Sequence, residues 1–152
     1  MSDTQHLERS PLCPGDDNLR TQLAADLRVA GLRPTRQRVA LAAILFGRGH
    51  RHIAAEELHE EAIAADVPVS LATIYNTLHQ FTKAGLLREV AIEGARTYFD
   101  TNVSDHHHFF VEGENRLIDV GDPIEIAKIP PPPPGMEVTS VEVIVRVRRK
   151  RA

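Results

Sequence analysis

The sharpest chemical feature of this sequence is a run of three histidines, His106-His107-His108. On an extended strand, residues two apart share a face, so His106 and His108 would point one way and His107 the other. Two imidazoles on one rigid face can reach a single metal ion. Asp100, Asp119 and His52 are the candidate partners elsewhere in the chain. Three imidazoles with two carboxylates suit Fe(II), Mn(II) or Zn(II) better than Ca(II) or Cu(I). Neutral imidazole is also a common axial ligand of haem iron, which makes His106, His107 and His108 candidate haem ligands. A polar strand with no designed site would show the same spacing, and the residues alone leave these alternatives open. Cys13-Pro14 could offer a thiolate to haem iron, although a lone Cys-Pro pair is weakly specific. His6, His50 and His59 have no comparable partners and read as incidental.

A second constellation follows Ser70, an N-cap residue type. Leu71, Ile74, Leu78 and Phe81 recur at helical spacing, and Gly85 stops the pattern. Ala72, Thr73, Asn76, His79, Gln80 and Lys83 then fall on or beside the opposite face, with Tyr75 at its edge. That surface is hydrogen-bonding, largely uncharged and ends in a lysine, as a helix in the DNA major groove requires. Asn76 and Gln80 could each contact adenine bidentately, while Thr73 and Tyr75 could reach phosphate or a thymine methyl. Arg33, Arg36 and Arg38 would neutralise phosphates or enter the minor groove. An ordinary amphipathic helix with a solvated face is the plainer alternative, and placement in the chain decides between them.

That placement favours DNA. Three helical stretches come first: Leu19 to Ala30 after Asp16-Asp17-Asn18, a second from Thr35 burying Val39, Ala42, Ala43 and Phe46, and a third over about Ala54 to Ala65 burying Leu58 and Ile63. The turn Val67 to Ser70 leads into the candidate reading helix. Leu86 to Ile92 and Arg96 to Phe99 then flank Glu93-Gly94-Ala95 as a hairpin. With one extra leading helix, this is the order of a winged helix-turn-helix. Beyond it, His106 to Glu112 and Arg116 to Val120 read as strands. The run Pro130 to Pro134 excludes helix, and Val141, Val143, Val145 and Val147 alternate as a last strand.

The fold class expected is therefore α+β. A flexible arm (1–18) would precede a winged-helix DNA-binding domain (19–100) and a small mixed-sheet domain (101–152). So small a sheet buries little alone, which points to packing against a second copy. From Leu19 to Arg88 nine cations stand against six anions, although the whole chain carries −3. A basic head on an acidic body is compatible with nucleic acid. One cysteine excludes an internal disulfide and an all-cysteine zinc site. The longest apolar run falls well short of the ~20 residues of a membrane span. The expectation is a cytoplasmic protein with no membrane association.

Several of these segments resemble the ferric uptake regulator family. They are Gly31-Leu32-Arg33-Pro34-Thr35-Arg36-Gln37-Arg38, His52 to Leu58, Ser70-Leu71-Ala72-Thr73-Ile74-Tyr75-Asn76-Thr77-Leu78, Gly85-Leu86-Leu87, Tyr98-Phe99-Asp100, the histidine run and Leu117-Ile118-Asp119. The resemblance is close from Leu19 to Asp119 and loose beyond. It implies a homodimeric winged-helix repressor, with a tetramer left open, and no enzymatic activity. Its regulatory metal ligands fall on His52, Asp100, His106, His108 and Asp119. Its major-groove positions fall on Tyr75 and Asn76, and a basic minor-groove contact on Arg33. Where the family has the first Cys-x-x-Cys pair of a structural zinc site, this chain has Val111 and Glu114, so no cysteine-type zinc is expected.

That loss, the His-His-His-Phe-Phe run and the proline segment are similar to the iron response regulator branch of rhizobia. This branch implies a haem- or iron-responsive regulator that binds promoter DNA under low iron and loses DNA, or is removed, when haem binds. The regulatory ligand would be haem, Fe(II) or Mn(II), with zinc as a possible occupant. The competing branch is a peroxide- or metal-sensing repressor using the same three histidines and two aspartates. Outside the family, a metalloenzyme or haem buffer would use the same cluster, but the chain has no nucleophile elbow, phosphate loop or Glu-bearing His-x-x-x-His motif to support it.

Overall fold

Helix ends are set by single residues whose chemistry matches the position. Thr35 is extended and its hydroxyl accepts from Arg38 N at 3.3 Å, opening α2 (Arg36–Phe46). Glu57 reaches back to accept from Ala54 N at 3.0 Å at the start of α3 (Ala55–Ala64). Ser70 Oγ accepts from Thr73 N at 3.1 Å and opens α4 (Leu71–Lys83). The leading helix α1 spans Asp17–Val29. It and α4 both end on a left-handed glycine, Gly31 at φ 82° and Gly85 at φ 80°. Leu32 N donates to Leu27 O and Leu86 N to Phe81 O, so each end closes as a Schellman motif.

These elements belong to a computed structural model that describes residues 17–151. The described chain falls into two compact units. One runs up to Ala91 and takes in Thr97–Val103; the other comprises Ile92–Arg96 and the chain from Ser104 onward.

In the first unit the four helices enclose a core of leucine, isoleucine and phenylalanine. Leu27, Leu41, Leu45, Leu58, Ile74, Leu78 and Phe81 are essentially fully buried, and Phe46 stacks on Phe81 with ring centroids 6.3 Å apart. Helix α2 packs against both α1 and α3. It therefore buries Leu41 and Leu45 in addition to the expected Val39 and Ala42, while Ala43 and Phe46 are only partly covered. Ile63, expected inside, is 59% exposed. Helix α3 buries Ala55, Leu58 and Ala62, and Ile63 lies about 100° round the helix from Ala62. Leu71, at the open first turn of α4, is 36% exposed.

The sheet of this unit has the order β1-β3-β2 and is antiparallel: β1 (His52–Ile53), β2 (Arg88–Ala91) and β3 (Thr97–Asp100). The hairpin expected around Glu93-Gly94-Ala95 forms, with Gly94 at φ 76°. Strand β1 was not foreseen; its two residues pair with Phe99 and Asp100.

The second unit holds a three-stranded sheet in the order β5-β4-β6, with β4 (His108–Val111), β5 (Arg116–Asp119) and β6 (Ile144–Val147). Strand β5 runs antiparallel to β4 and β6 parallel to it, so the sheet is mixed. Between β5 and β6, residues 120–143 contain no helix or strand and pass through Pro130 to Pro134. Several strand expectations shorten, among them Leu86 to Ile92, of which Arg88–Ala91 is strand. His106 and His107 precede β4, and the valine alternation from Val141 joins the ladder only at Ile144.

Candidate functional site

Each unit brings its own histidines and carboxylates together. In the first unit His52 and Asp100 are direct cross-strand partners between β1 and β3. Residues opposite each other on antiparallel strands hold their Cβ atoms within about 5.5 Å. His52 Nε2 lies 3.1 Å from Asp100 Oδ2. Asp100 is 1% exposed, and its other oxygen accepts from Asn102 N at 2.9 Å. A buried carboxylate needs such partners to offset lost hydration.

In the second unit His106, His108 and Asp119 converge. His106 Nε2 lies 3.2 Å, and His108 Nε2 3.5 Å, from the same oxygen, Asp119 Oδ1. The two imidazole centroids are 4.4 Å apart. Asp119 arrives by pairing with His108 in the β4–β5 register. The two histidines of the shared-face argument do converge, but for a different reason: His106 lies ahead of the strand and is held by Ser104. Its Nδ1 is 2.6 Å from Ser104 O, a pure acceptor, so Nδ1 carries the proton and Nε2 keeps its lone pair toward Asp119. A nitrogen lone pair facing a carboxylate oxygen at that distance calls for a cation between them, either a proton or a metal ion. His108 is fully buried, and its Nδ1 lies 3.6 Å from Glu142 Oε1.

His107 is set apart from this pair. Val143 N donates to His107 Nδ1 at 3.1 Å, which leaves Nε2 as the protonated nitrogen. As placed, the ring offers no free lone pair to an iron, and its work is to tie the segment before β6 to the segment before β4. The candidate haem ligand Cys13 lies outside the described residues. Where the family resemblance expects cysteines, Val111 is buried and Glu114 is ion-paired with Arg149.

The proposed reading face of α4 is open at Asn76, Gln80, His79 and Lys83, and Tyr75 is 37% exposed. Three of its hydrogen-bonding groups already have partners. Thr73 Oγ1 contacts Ser70 Oγ at 3.0 Å, and Tyr75 donates its hydroxyl proton to Glu56 Oε1 at 2.6 Å. Gln80 Oε1 accepts from Arg38 Nη2 at 2.9 Å and from Nε at 3.3 Å, while Arg38 Nη1 donates to Arg33 O at 2.8 Å. Gln80 therefore turns its amide N–H groups outward as donors. Arg33, Arg38, Thr73, Asn76 and Gln80 line one shallow groove, whereas Arg36 borders a different hollow with Arg20 and Asp66. Ser104, Asn102, Glu142 and Glu56 escaped the sequence reading. Their roles depend on backbone positions or on partners far along the chain, which leave no local signal.

The model of the ferric uptake regulator family matches residues 29–145. The peroxide-responsive repressor PerR of Staphylococcus aureus (strain Mu50) is 36% identical over 96 residues, 62% of this chain. The match spans 64% of the length of that curated relative. The ferric uptake regulator of Pseudomonas aeruginosa, solved with manganese, superposes with a TM-score of 0.64 at 25% identity, over 84% of this chain and 97% of that one. The Vibrio cholerae ferric uptake regulator gives a TM-score of 0.66 at 22% identity, over 83% and 98%; at that identity the likeness bears on fold alone. No helix among the described residues is long and apolar enough to cross a membrane.

Proposed function

This chain belongs to the ferric uptake regulator family, and we propose that it regulates transcription by binding double-stranded promoter DNA as a homodimer, with a divalent ion, Fe(II) or Mn(II), setting its DNA affinity. The observation that carries the proposal is the convergence of His106 Nε2 and His108 Nε2 on Asp119 Oδ1. Two imidazoles and a carboxylate on one side of a point suit Fe(II), Mn(II) or Zn(II). The family resemblance implies His52 and Asp100 as metal ligands too, and their pairing within the first unit supports that role. Such an ion would supply a fixed positive charge and a rigid link among its ligands. A more ordered protein spends less entropy on docking DNA, which supports tighter binding in the metal-loaded form.

A haem iron is already ringed by four macrocycle nitrogens and takes ligands only along its axis. Converging donors on one side therefore favour a bare ion over the haem-responsive branch. The substituted zinc positions, Val111 and Glu114, are what support that branch. A response to peroxide is the second reading, favoured by the 36% identity with a peroxide-responsive repressor.

Support for the homodimer comes from the stretch between β5 and β6. There Ile126, Ile129, Met136 and Val138 are 41–66% exposed with no secondary structure around them. A second copy is the natural cover for that surface. For the DNA surface we assign Asn76, Gln80 and Lys83 to the major groove with Tyr75 and Thr73 beside them, and Arg33, Arg36 and Arg38 to the phosphates.

The test is a titration of the purified chain with Mn(II), Fe(II) and haem in parallel. One divalent ion per chain is expected, weakened by H106A and by H108A. A haem Soret shift lost on changing His106 to His108, without divalent uptake, would transfer the function to haem. Fe(II)-loaded but not Mn(II)-loaded protein losing DNA on peroxide treatment would establish the second reading.

A further inference from the structure

Charge reverses abruptly near the end of the sequence. From Glu89 to Glu142 eleven carboxylates stand against three cations, and then Arg146 to Arg151 carries five cations in six residues. The structure divides those five. Arg146 lies over the Phe110 ring at 5.4 Å, with Glu112 3.8 Å away, and Arg149 pairs with Glu114. Arg148, Lys150 and Arg151 are exposed and make no ion pair among the described residues. They are also not loosely held at their base. Glu112 N donates to Val147 O at 2.8 Å as the β4–β6 ladder ends, and the Glu114 pair fixes the chain two residues further on. Arg148, Arg149, Lys150 and Arg151 together line a shallow hollow.

We propose that Arg148, Lys150 and Arg151 form a second DNA-contacting surface that grips the phosphodiester backbone without reading sequence. The proposal rests on the DNA-binding function above and adds a contact outside the reading helix. The chemistry favours phosphate. Two of the three proposed contacts are arginines, whose planar fork matches phosphate oxygens. From Arg148 to Arg151 no apolar side chain intervenes, so the segment lacks the apolar face that a membrane-surface anchor needs. A backbone anchored at Val147 and Arg149 loses little freedom on binding, and each cation that neutralises a phosphate releases condensed counterions, lowering the log–log salt slope by about 0.9.

The test uses the full chain with Mn(II) on a 40-base-pair duplex of arbitrary sequence, read by fluorescence anisotropy across a salt series. The triple variant R148A/K150A/R151A is compared with the native protein, both with matching circular dichroism. Three contacts at about 0.9 each make the native slope steeper by almost three per engaged copy, so doubling the salt weakens native binding about six-fold more than variant binding. Slopes that agree within half a unit, with the native protein binding duplex, would overturn this contact and leave the regulator function standing; they would also point the basic segment toward an acidic protein partner. A native protein that binds no duplex at all would overturn both.

Discussion

Replacing Asp119 by asparagine separates metal binding from folding. Asp119 ends β5 with a side chain 42% exposed, and its Oδ1 lies near both His106 Nε2 and His108 Nε2. Asparagine keeps size and an acceptor oxygen but removes the charge that balances a divalent cation. Loss of a group that merely orients a ligand costs about 10–100-fold in metal affinity. Loss of a charged ligand should therefore cost at least about 100-fold, or about 2.8 kcal/mol at 1.4 kcal/mol per decade. The cost to the metal-free fold should be small, about 1 kcal/mol, because asparagine keeps an acceptor oxygen for the two imidazoles and loses no more than the net worth of an ordinary hydrogen bond. For a chain of this length that corresponds to a melting shift of about 2–4 °C at most. Competition with a fluorescent chelator measures the first quantity, and thermal melting in EDTA the second. Mn(II) affinity within three-fold of native would refute the assignment of Asp119. So would a metal-free melting point lowered by 10 °C, since the residue would then be structural.

Asn76→Ala removes an exposed side chain from α4 and should weaken binding to the protein's own operator about 10–100-fold, the worth of one bidentate base contact; competition by arbitrary duplex should be unchanged. Phe81→Ala empties a fully buried site stacked on Phe46 and should cost about 3–5 kcal/mol in urea unfolding. A loss under 1 kcal/mol there would mean that α4 is not seated as described.

Much of the helical head is legible in the sequence because its signals are local. Thr35 and Ser70 cap the helices they precede, and Gly31 and Gly85 sit where only a left-handed residue closes the end. Most of the errors come from contacts between distant parts of the chain. Strand β1 exists only because His52 and Ile53 find β3 some 45 residues later. Leu41 and Leu45 are buried because α2 is covered by two neighbours, which a single amphipathic stripe does not anticipate. At the histidine run, composition identifies the ligand types, but the division of labour depends on Ser104 O behind His106 and Val143 N on His107. The latter contact spans 36 residues and turns one of three adjacent histidines into a structural tie.

Whether a divalent ion at His106, His108 and Asp119 governs DNA binding is decided by selecting genomic fragments bound by the chain in Mn(II) and then measuring their affinity in Mn(II) and in EDTA. Binding should be at least ten-fold tighter with Mn(II), a gain lost in D119N, and by reciprocity the selected DNA should tighten Mn(II) binding equally. Equal affinity in Mn(II) and EDTA for the native chain would contradict it.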